Sequence, residues 1–385
     1  MPRKPRYIDT GKSSFFGDMV YQRIIPQNHF LVALNELFSW EDMSAELITA
    51  YKGRGILGRR PYNPSQIFKM LFISYLYGVS ERQVEEMVNF HLVVKWFVGL
   101  AVDEMAPDHS TLTRFKNRYL QEGHWALLEN TFSRIIDQAR GLGLEMGTLQ
   151  IVDSTHTQAD INTDKDDRRQ KQGKPSRDRD AAIVNKGKRE VVEPDGKRVK
   201  KELRYLGYKT HVSVNAQTGV ITSFTCTRGN RADNKEFPHL LTQDQALHLP
   251  TQAYGGDAAY DDTDIYVRLD DRQLRIAICL RDFRTHKKDA NKEPWIQLVA
   301  SAQYQAERGQ RYRVEQPFGP AKQKHGFGRC RYLGLPRYRI QAFFTLLVGN
   351  CKRVVKRLTG ITFRPQAKGR RAEVFEPVFA ALPWA

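Results

Sequence analysis

Three carboxylates in this chain have the type and placement that phosphodiester cleavage requires. Asp153 follows the apolar run LQIV at residues 149–152, Asp257 follows AYGG at 253–256, and Glu315 lies in the basic segment QRYRVEQPFG at 310–319. Cleavage assisted by two divalent ions needs clustered carboxylate oxygens that hold hard cations about 3.5–4 Å apart. One ion activates the attacking oxygen, and the other stabilises the leaving one. Two strand ends and a crossing helix can bring such distant acids together. Each acid alone is weak evidence, because an Asp after a strand is more often a turn or cap residue. Asp261, Asp262 and Asp264 read as turn acids, and Asp233 reads as a helix cap. Arg311, Glu315 and Lys322 share one face if their helix is continuous. Pro317 and Pro320 interrupt that segment, so either the helix starts near Glu315 or it is kinked there.

Other chemistries find less support. There is no HExxH and no His/Cys spacing typical of zinc. His156 reads as a polar strand-edge residue, and His211, in YKTHVSV, as structural or surface. Ser154 has no accompanying motif that would make it a recombinase nucleophile. No GxxxxGK[ST] loop is present, so no nucleotide cofactor is expected. The four cysteines, Cys226, Cys279, Cys330 and Cys351, form no CxxC pair, which points to a reducing compartment. The best apolar run, residues 342–349, is too short for a membrane span, and the basic start MPRKPRYIDT lacks the apolar stretch of a signal peptide. A cytoplasmic protein is expected.

The elements that must position the acids can be read from periodicity and punctuation. Residues 28–142 have a helical pattern. Asn63 and Pro64 open one helix and Gly78 ends it. Ser80 caps the next, the run VVKWFVGLAV reads as buried, and Asp108 or Ser110 caps TLTRFKNRYL. Helix, Gly turn and helix suit a helix-turn-helix unit, with Arg114, Lys116 and Arg118 on the second helix as DNA contacts. From Thr148 the texture changes to five strands: LQIVDSTHTQA, YKTHVSVNA, ITSFTCTRG, TQAYGGDAAYDD and LRIAICL. Between the first two, residues 163–201 carry 14 Lys+Arg, 8 Asp+Glu and few large apolar residues, so they read as an exposed, partly mobile insertion.

Charge names the partner. The 385 residues carry a net +18, and a polyanion, most simply nucleic acid, is its natural counterpart. Residues 1–145 contribute +1, residues 146–280 +2 and residues 281–385 +15. In the last third Arg329, Arg331, Arg337, Arg339, Lys352 and Arg353 alternate with Phe327, Tyr332, Tyr338 and Phe343, a mixture that suits phosphate contacts with aromatic support. Most salt-dependent DNA affinity is therefore expected from the catalytic end. The near-neutral helical region would add sequence choice or dimer contacts.

At these residues the chain resembles the DDE transposases of bacterial insertion sequences, members of the RNase H-like, retroviral-integrase superfamily. The likeness rests on IVDSTHTQA, LGYKTHVSVNAQTGVITSFTCTRGNRADN, YGGDAAYDD and R-x3-E-x6-K at Arg311, Glu315 and Lys322, and on RRPYNPSQIFKMLFISYLYGVSERQVEE and PDHSTLTRFKNR further upstream. Where the family often has Tyr three residues before the Arg, this chain has Arg308. The resemblance spans roughly residues 28–358. It implies an all-helical N-terminal DNA-binding or dimerisation domain (1–145), an RNase H-like α/β catalytic domain with a mixed five-stranded sheet (146–358) and a C-terminal tail (359–385). It further implies Asp153, Asp257 and Glu315 as the metal triad for two Mg2+ ions, with Mn2+ as substitute. Arg311, Lys322, Arg329 and Arg331 are the expected DNA contacts near them. Recognition of terminal inverted repeats, strand transfer into double-stranded target DNA and a homodimer on DNA complete the expectation. A structure-selective nuclease and a catalytically inactive DNA-binding regulator are the alternatives.

Overall fold

A computed structural model describes residues 7–8, 15–52, 59–121, 123–192, 198–285 and 292–364. Its first part is helical. The central helix, Pro64–Tyr77, is buried along nearly its whole length. Asn63 caps it by accepting from the Ser65 amide, Pro64 takes the first turn, and Gly78 closes it in the left-handed region at φ 69°. Ser80 and Gln83 then form a reciprocal capping box that starts Glu81–Phe90. Asp108, not Ser110, caps His109–Tyr119. Residues 53–58, ahead of Pro64–Tyr77, lie outside the described residues.

The second part is a mixed sheet of six strands: β1 (Leu149–Gln158), β2 (Ala182–Val192), β3 (Arg198–Asn215), β4 (Ile221–Arg228), β5 (Ala253–Gly256) and β6 (Arg275–Ile278). β3 lies antiparallel to β1, β2 and β4, whereas β5 and β6 run parallel to β1. The order is β2-β3-β1-β5-β6, with β4 on the β2 side of β3. This is the RNase H-like arrangement that the resemblance implied. All five expected strands are present, and the sixth is a correction. The insertion at 163–201 holds a helix, Thr163–Lys171, and strand β2 rather than loop alone. β3 is 18 residues long, so its first half offers an open edge, and β2 satisfies it. Charged residues hide the alternation that would have marked this hairpin. Residues 193–197 lie outside the described residues.

One hydrophobic core joins the two parts. The helix Leu335–Thr359 runs between them, with Phe344 5.1 Å from Phe68 and stacked on Tyr75 at 5.4 Å. The neighbouring Phe343 meets Phe68 and Phe132 of the helical part at 6.0 and 6.1 Å and Phe224 of β4 at 6.5 Å. A smaller core of Val152, Phe237, Tyr254, Tyr260 and Ile278 fills the opposite face of the sheet. Three aromatics expected to support nucleic acid belong instead to the interior: Phe327, Tyr338 and Phe343 are fully buried. Of the tail, Phe363 packs edge-on against Phe30 and Tyr77, and residues 365–385 lie outside the described residues. Among the described residues no helix is long and apolar enough to cross a membrane.

Candidate active site

Register places two of the three acids. β1 and β5 pair in parallel, Leu149 beside Ala253 and Ile151 beside Gly255. Two residues further along each chain stand Asp153 and Asp257. β5 stops at Gly256, because Asp257 turns its carboxylate back to cap the short turn Ala258–Tyr260, accepting from the Ala259 amide at 2.9 Å. Space at Gly256 is tight, since an added Cβ would come within 3.1 Å of Val152 and 3.2 Å of Tyr260, whose side chains would have to give way. Asp153 accepts from the Ser154 amide at 2.7 Å. Burial pushes its carboxyl up to about 6, and Asp257 and Asp233 add to that, while the Ser154 amide and Arg311 oppose it.

Glu315 arrives from another direction. The 3-10 turn Arg311–Val314 packs against β1 and hands over to the helix Glu315–Lys324. Val314, Pro317 and Phe318 face inward, and Arg313 donates to the Ala216 carbonyl at 2.8 Å, so the turn is anchored while Glu315 stays exposed. Pro317 sits in the first turn, where a missing N–H is harmless. The open alternative is thereby decided: the helix starts at Glu315. Arg311 is on the preceding turn, so the three residues do not share one continuous helix. Glu315 and Lys322 do remain on the same one.

Around the pair lies a set of groups that the sequence did not assign to it. Asp233, expected as a helix cap, makes no capping bond. It instead receives Lys209 Nζ at 3.0 Å, and His211 Nδ1 lies 3.3 Å away. His211 is fully buried, and burial lowers it to about 4 against the pull of Asp233 and Glu236. Its Nε2 is 2.9 Å from the Thr227 hydroxyl. The buried Tyr260 hydroxyl has no hydrogen-bond partner among the described residues. Burial raises its pKa well above the usual phenol range, and the nearby Asp233, Asp153, Asp257 and Glu236 raise it further. Asp262 caps the following helix, as a turn acid should, but Asp261 is buried against Arg284 and Tyr266.

The donor set suits a hard divalent cation. It is carboxylate oxygen throughout, and Asp153 is a half-buried acid near a second acid, a situation that a cation relieves. Among the described residues no three His, Cys, Asp or Glu side chains stand together ready to hold one. The structure thus brings Asp153 and Asp257 together and sets Glu315 at the start of the neighbouring helix, short of a closed triad. A concavity of about 590 Å3 along β4 includes none of these acids. Size does not locate this site, because a duplex backbone is read on open surface.

The basic candidates divide. Arg114 is exposed, and Arg118 stacks over Tyr51 at 3.7 Å. Arg329 is exposed and pairs with Asp160 at 2.9 Å. Lys116 is a correction: it is buried, bonded to Glu81, and 3.1 Å from the Tyr332 hydroxyl. Arg331 is a second, donating to Ser74 Oγ and the Val79 carbonyl and lying over the Tyr75 ring at 4.5 Å. Both tie the helical region to the segment before Leu335–Thr359. A basic residue on a helix or loop does not reveal which way it points until its neighbours are known.

Two family models match this chain. The transposase domain DUF772 covers residues 19–118, and the transposase DDE domain covers residues 146–351. The chain is also similar to the cryo-EM structure of a piggyBac transposase synaptic complex with hairpin DNA, at 9% identity over 88% of this chain and 76% of that one, with a TM-score of 0.39. That likeness is loose. DDE transposases use divalent metal ions to cut and join DNA. The matched DDE domain spans more than half of the chain and contains both members of the acid pair and Glu315, so this protein belongs to the DDE transposase family and is a DNA transposase.

Proposed function

We propose that Asp153, Asp257 and Glu315 hold two Mg2+ ions, replaceable by Mn2+. The enzyme would cut at the terminal inverted repeats of an insertion sequence and join the freed 3′-OH to double-stranded target DNA. The observation that carries this reading is the level placement of Asp153 and Asp257 on adjacent parallel strands. When bound, the ions lower the pKa of an attacking water and take up charge on the leaving oxygen. The chain's own part is positional. β1 holds Asp153 level with Asp257 at the end of β5, and the anchored turn 311–314 would bring Glu315 towards them. Arg311 and Lys322, on the turn and helix flanking Glu315, are placed to hold phosphates of the scissile strand. Arg329, Arg114 and Arg118 would extend the DNA contact, and residues 1–145 would form the DNA-binding and dimerising unit of a homodimer on nucleoid DNA. Joining two element ends requires two active sites, which is why a dimer is the simplest assembly.

The test is a Mg2+ reaction with duplexes carrying the element ends and a plasmid target. Wild type should yield cut ends and joined products. Asp257→Ala should bind DNA but neither cut nor join, and if it still cuts, the triad assignment is wrong. Cleavage without joining would identify a structure-selective nuclease, and binding alone an inactive regulator.

A further inference from the structure

The helical region is nearly neutral in sum, yet its cations are not evenly spread in space. Lys52, Arg59, Arg60, Arg114 and Arg118 line one concavity of about 380 Å3, whose wall includes Tyr51 and Tyr62. Three separate stretches supply them: the chain just after the turn Ile48–Ala50, the entry to the helix Pro64–Tyr77, and the helix His109–Tyr119. Among the described residues the only acid in the lining is Asp108, whose Oδ1 accepts from the amides of Ser110 and Thr111 at 2.6 and 3.1 Å and whose single charge leaves the five cations in excess. Lys52, Arg59, Arg60 and Arg114 are exposed and, among the described residues, make no ion pair. Several acids of the region are paired elsewhere: Glu81 with Lys116, Glu46 with Arg134, Glu85 with His109 and Asp137 with Arg140. Among the described residues, near-neutrality by count therefore conceals a net positive cluster.

Five converging cations repel one another, and an anion seated among them removes that repulsion. Guanidinium groups match phosphate oxygens in a bidentate fork, and the stacking of Arg118 on Tyr51 fixes that fork's plane. The cluster draws on loop and helix together and forms an open concavity, which suits a run of phosphates along a strand.

We propose that this concavity is a phosphodiester-binding site that grips the sugar–phosphate backbone of duplex DNA and shares no residue with the carboxylate centre. The choice of DNA as the anion rests on the transposase reading, whereas the site rests on the cluster itself. The helical region then contributes to salt-dependent affinity, contrary to the expectation drawn from its net charge.

The test uses the full-length chain and a short duplex of arbitrary sequence, with binding measured across a salt series. Arg59→Ala/Arg60→Ala/Arg114→Ala should lower the slope of log K against log salt by about 2–3, at roughly 0.9 for each phosphate no longer neutralised. The matching Arg→Lys triple should keep most of that slope, because it keeps the charge. Both variants should melt with wild type, since the substituted side chains are exposed. An unchanged slope in the Ala triple overturns the proposal, and so does an equal loss in the Lys triple. Displacement of DNA by millimolar inorganic phosphate at matched ionic strength also overturns it, by identifying a small-anion site. Asp153→Asn separates the two readings. It should keep the full slope while losing cleavage, and if it still cuts, the carboxylate assignment fails and this one stands.

Discussion

Asp153 and Asp257 stand level across a parallel strand pair, each two residues beyond the partners Ile151 and Gly255. Strand pairing brings the two chains level as far as Ile151 and Gly255, and the turn that Asp257 itself caps fixes the second acid. Burial pushes the Asp153 carboxyl up to about 6, and the neighbouring Asp257 adds to that.

That shift has a signed consequence for the metal-free protein. An unfolded Asp titrates near pH 4, below the folded value, so the folded chain binds the proton more tightly. The contribution of Asp153 to stability is greatest below about pH 4 and falls as pH rises through 6. Asp153→Asn should remove this loss, so the metal-free variant should melt above wild type at pH 7 by more than at pH 4. Added Mn2+ should stabilise wild type at pH 7 and leave the variant unmoved. Thermal melts at both pH values check this, and parallel wild-type and variant curves would refute it.

Glu315→Gln should separate chemistry from binding. The residue is exposed at the start of its helix, and its anchoring comes from Val314, Pro317 and Phe318. Cleavage should fall by at least about a hundredfold, the scale of losing one group that acts in the transition state, while the melting temperature and duplex affinity stay near wild type. A variant that cuts at wild-type rate would remove Glu315 from the triad.

Lys116 should matter for folding rather than for DNA. Its ammonium is buried against Glu81 and lies over the Tyr332 ring at 4.4 Å. Lys116→Ala leaves the half-buried Glu81 carboxylate without its cation, held only by the hydroxyls of Thr113 and Tyr332, which costs about 1–3 kcal/mol. Denaturant melts should show that loss, and Glu81→Gln in the same background should recover part of it. A salt slope that drops in Lys116→Ala while stability holds would return this residue to the DNA contacts.

Lys69 should make the helical region sensitive to pH. Burial lowers its ammonium to about 7, although Asn35 accepts from it at 2.8 Å and the rings of Trp40 and Phe97 lie 4.6 and 4.9 Å away. The unfolded lysine keeps its proton to about pH 10.4, so the unfolded chain binds more protons between these values. Stability from this group therefore rises with pH across that window, by about 1.4 kcal/mol per pH unit at most. Lys69→Met should gain most over wild type below pH 7 and lose that advantage towards pH 10. Chemical denaturation at pH 6, 8 and 9.5 measures the crossover, and a difference independent of pH would show that the lysine is charged throughout.

Gly207 should tolerate no side chain. It lies opposite Gln158, and an added Cβ would fall 2.2 Å from the Thr157 carbonyl oxygen, a backbone atom with nowhere to go. Gly207→Ala should push β1 and β3 apart and leave the chain largely insoluble or molten, as read by near-ultraviolet circular dichroism. A well-folded variant would mean that the two strands approach less closely than this.

Sequence by itself determined the local structure. Asn63, Pro64, Gly78, Ser80 and Asp108 announce helix ends because capping is a matter between near neighbours. The five apolar runs announce strands because burial of a sheet face imposes its period. The acids at 153, 257 and 315 were legible as candidates for the same reason, since each follows or opens a recognisable element. Tertiary structure decided everything that depends on partners far apart in the chain. Asp233 left its capping role because Lys209 and His211 reach it from β3. Lys116 and Arg331 turned inward because Glu81, Tyr332 and Tyr75 await them there. β2 formed because β3 is long enough to offer it an edge. The cations from Lys52 to Arg118 became one surface only when three segments met. Charge summed along a chain is a scalar, whereas a binding site depends on where each charge lies, and folding alone supplies those positions.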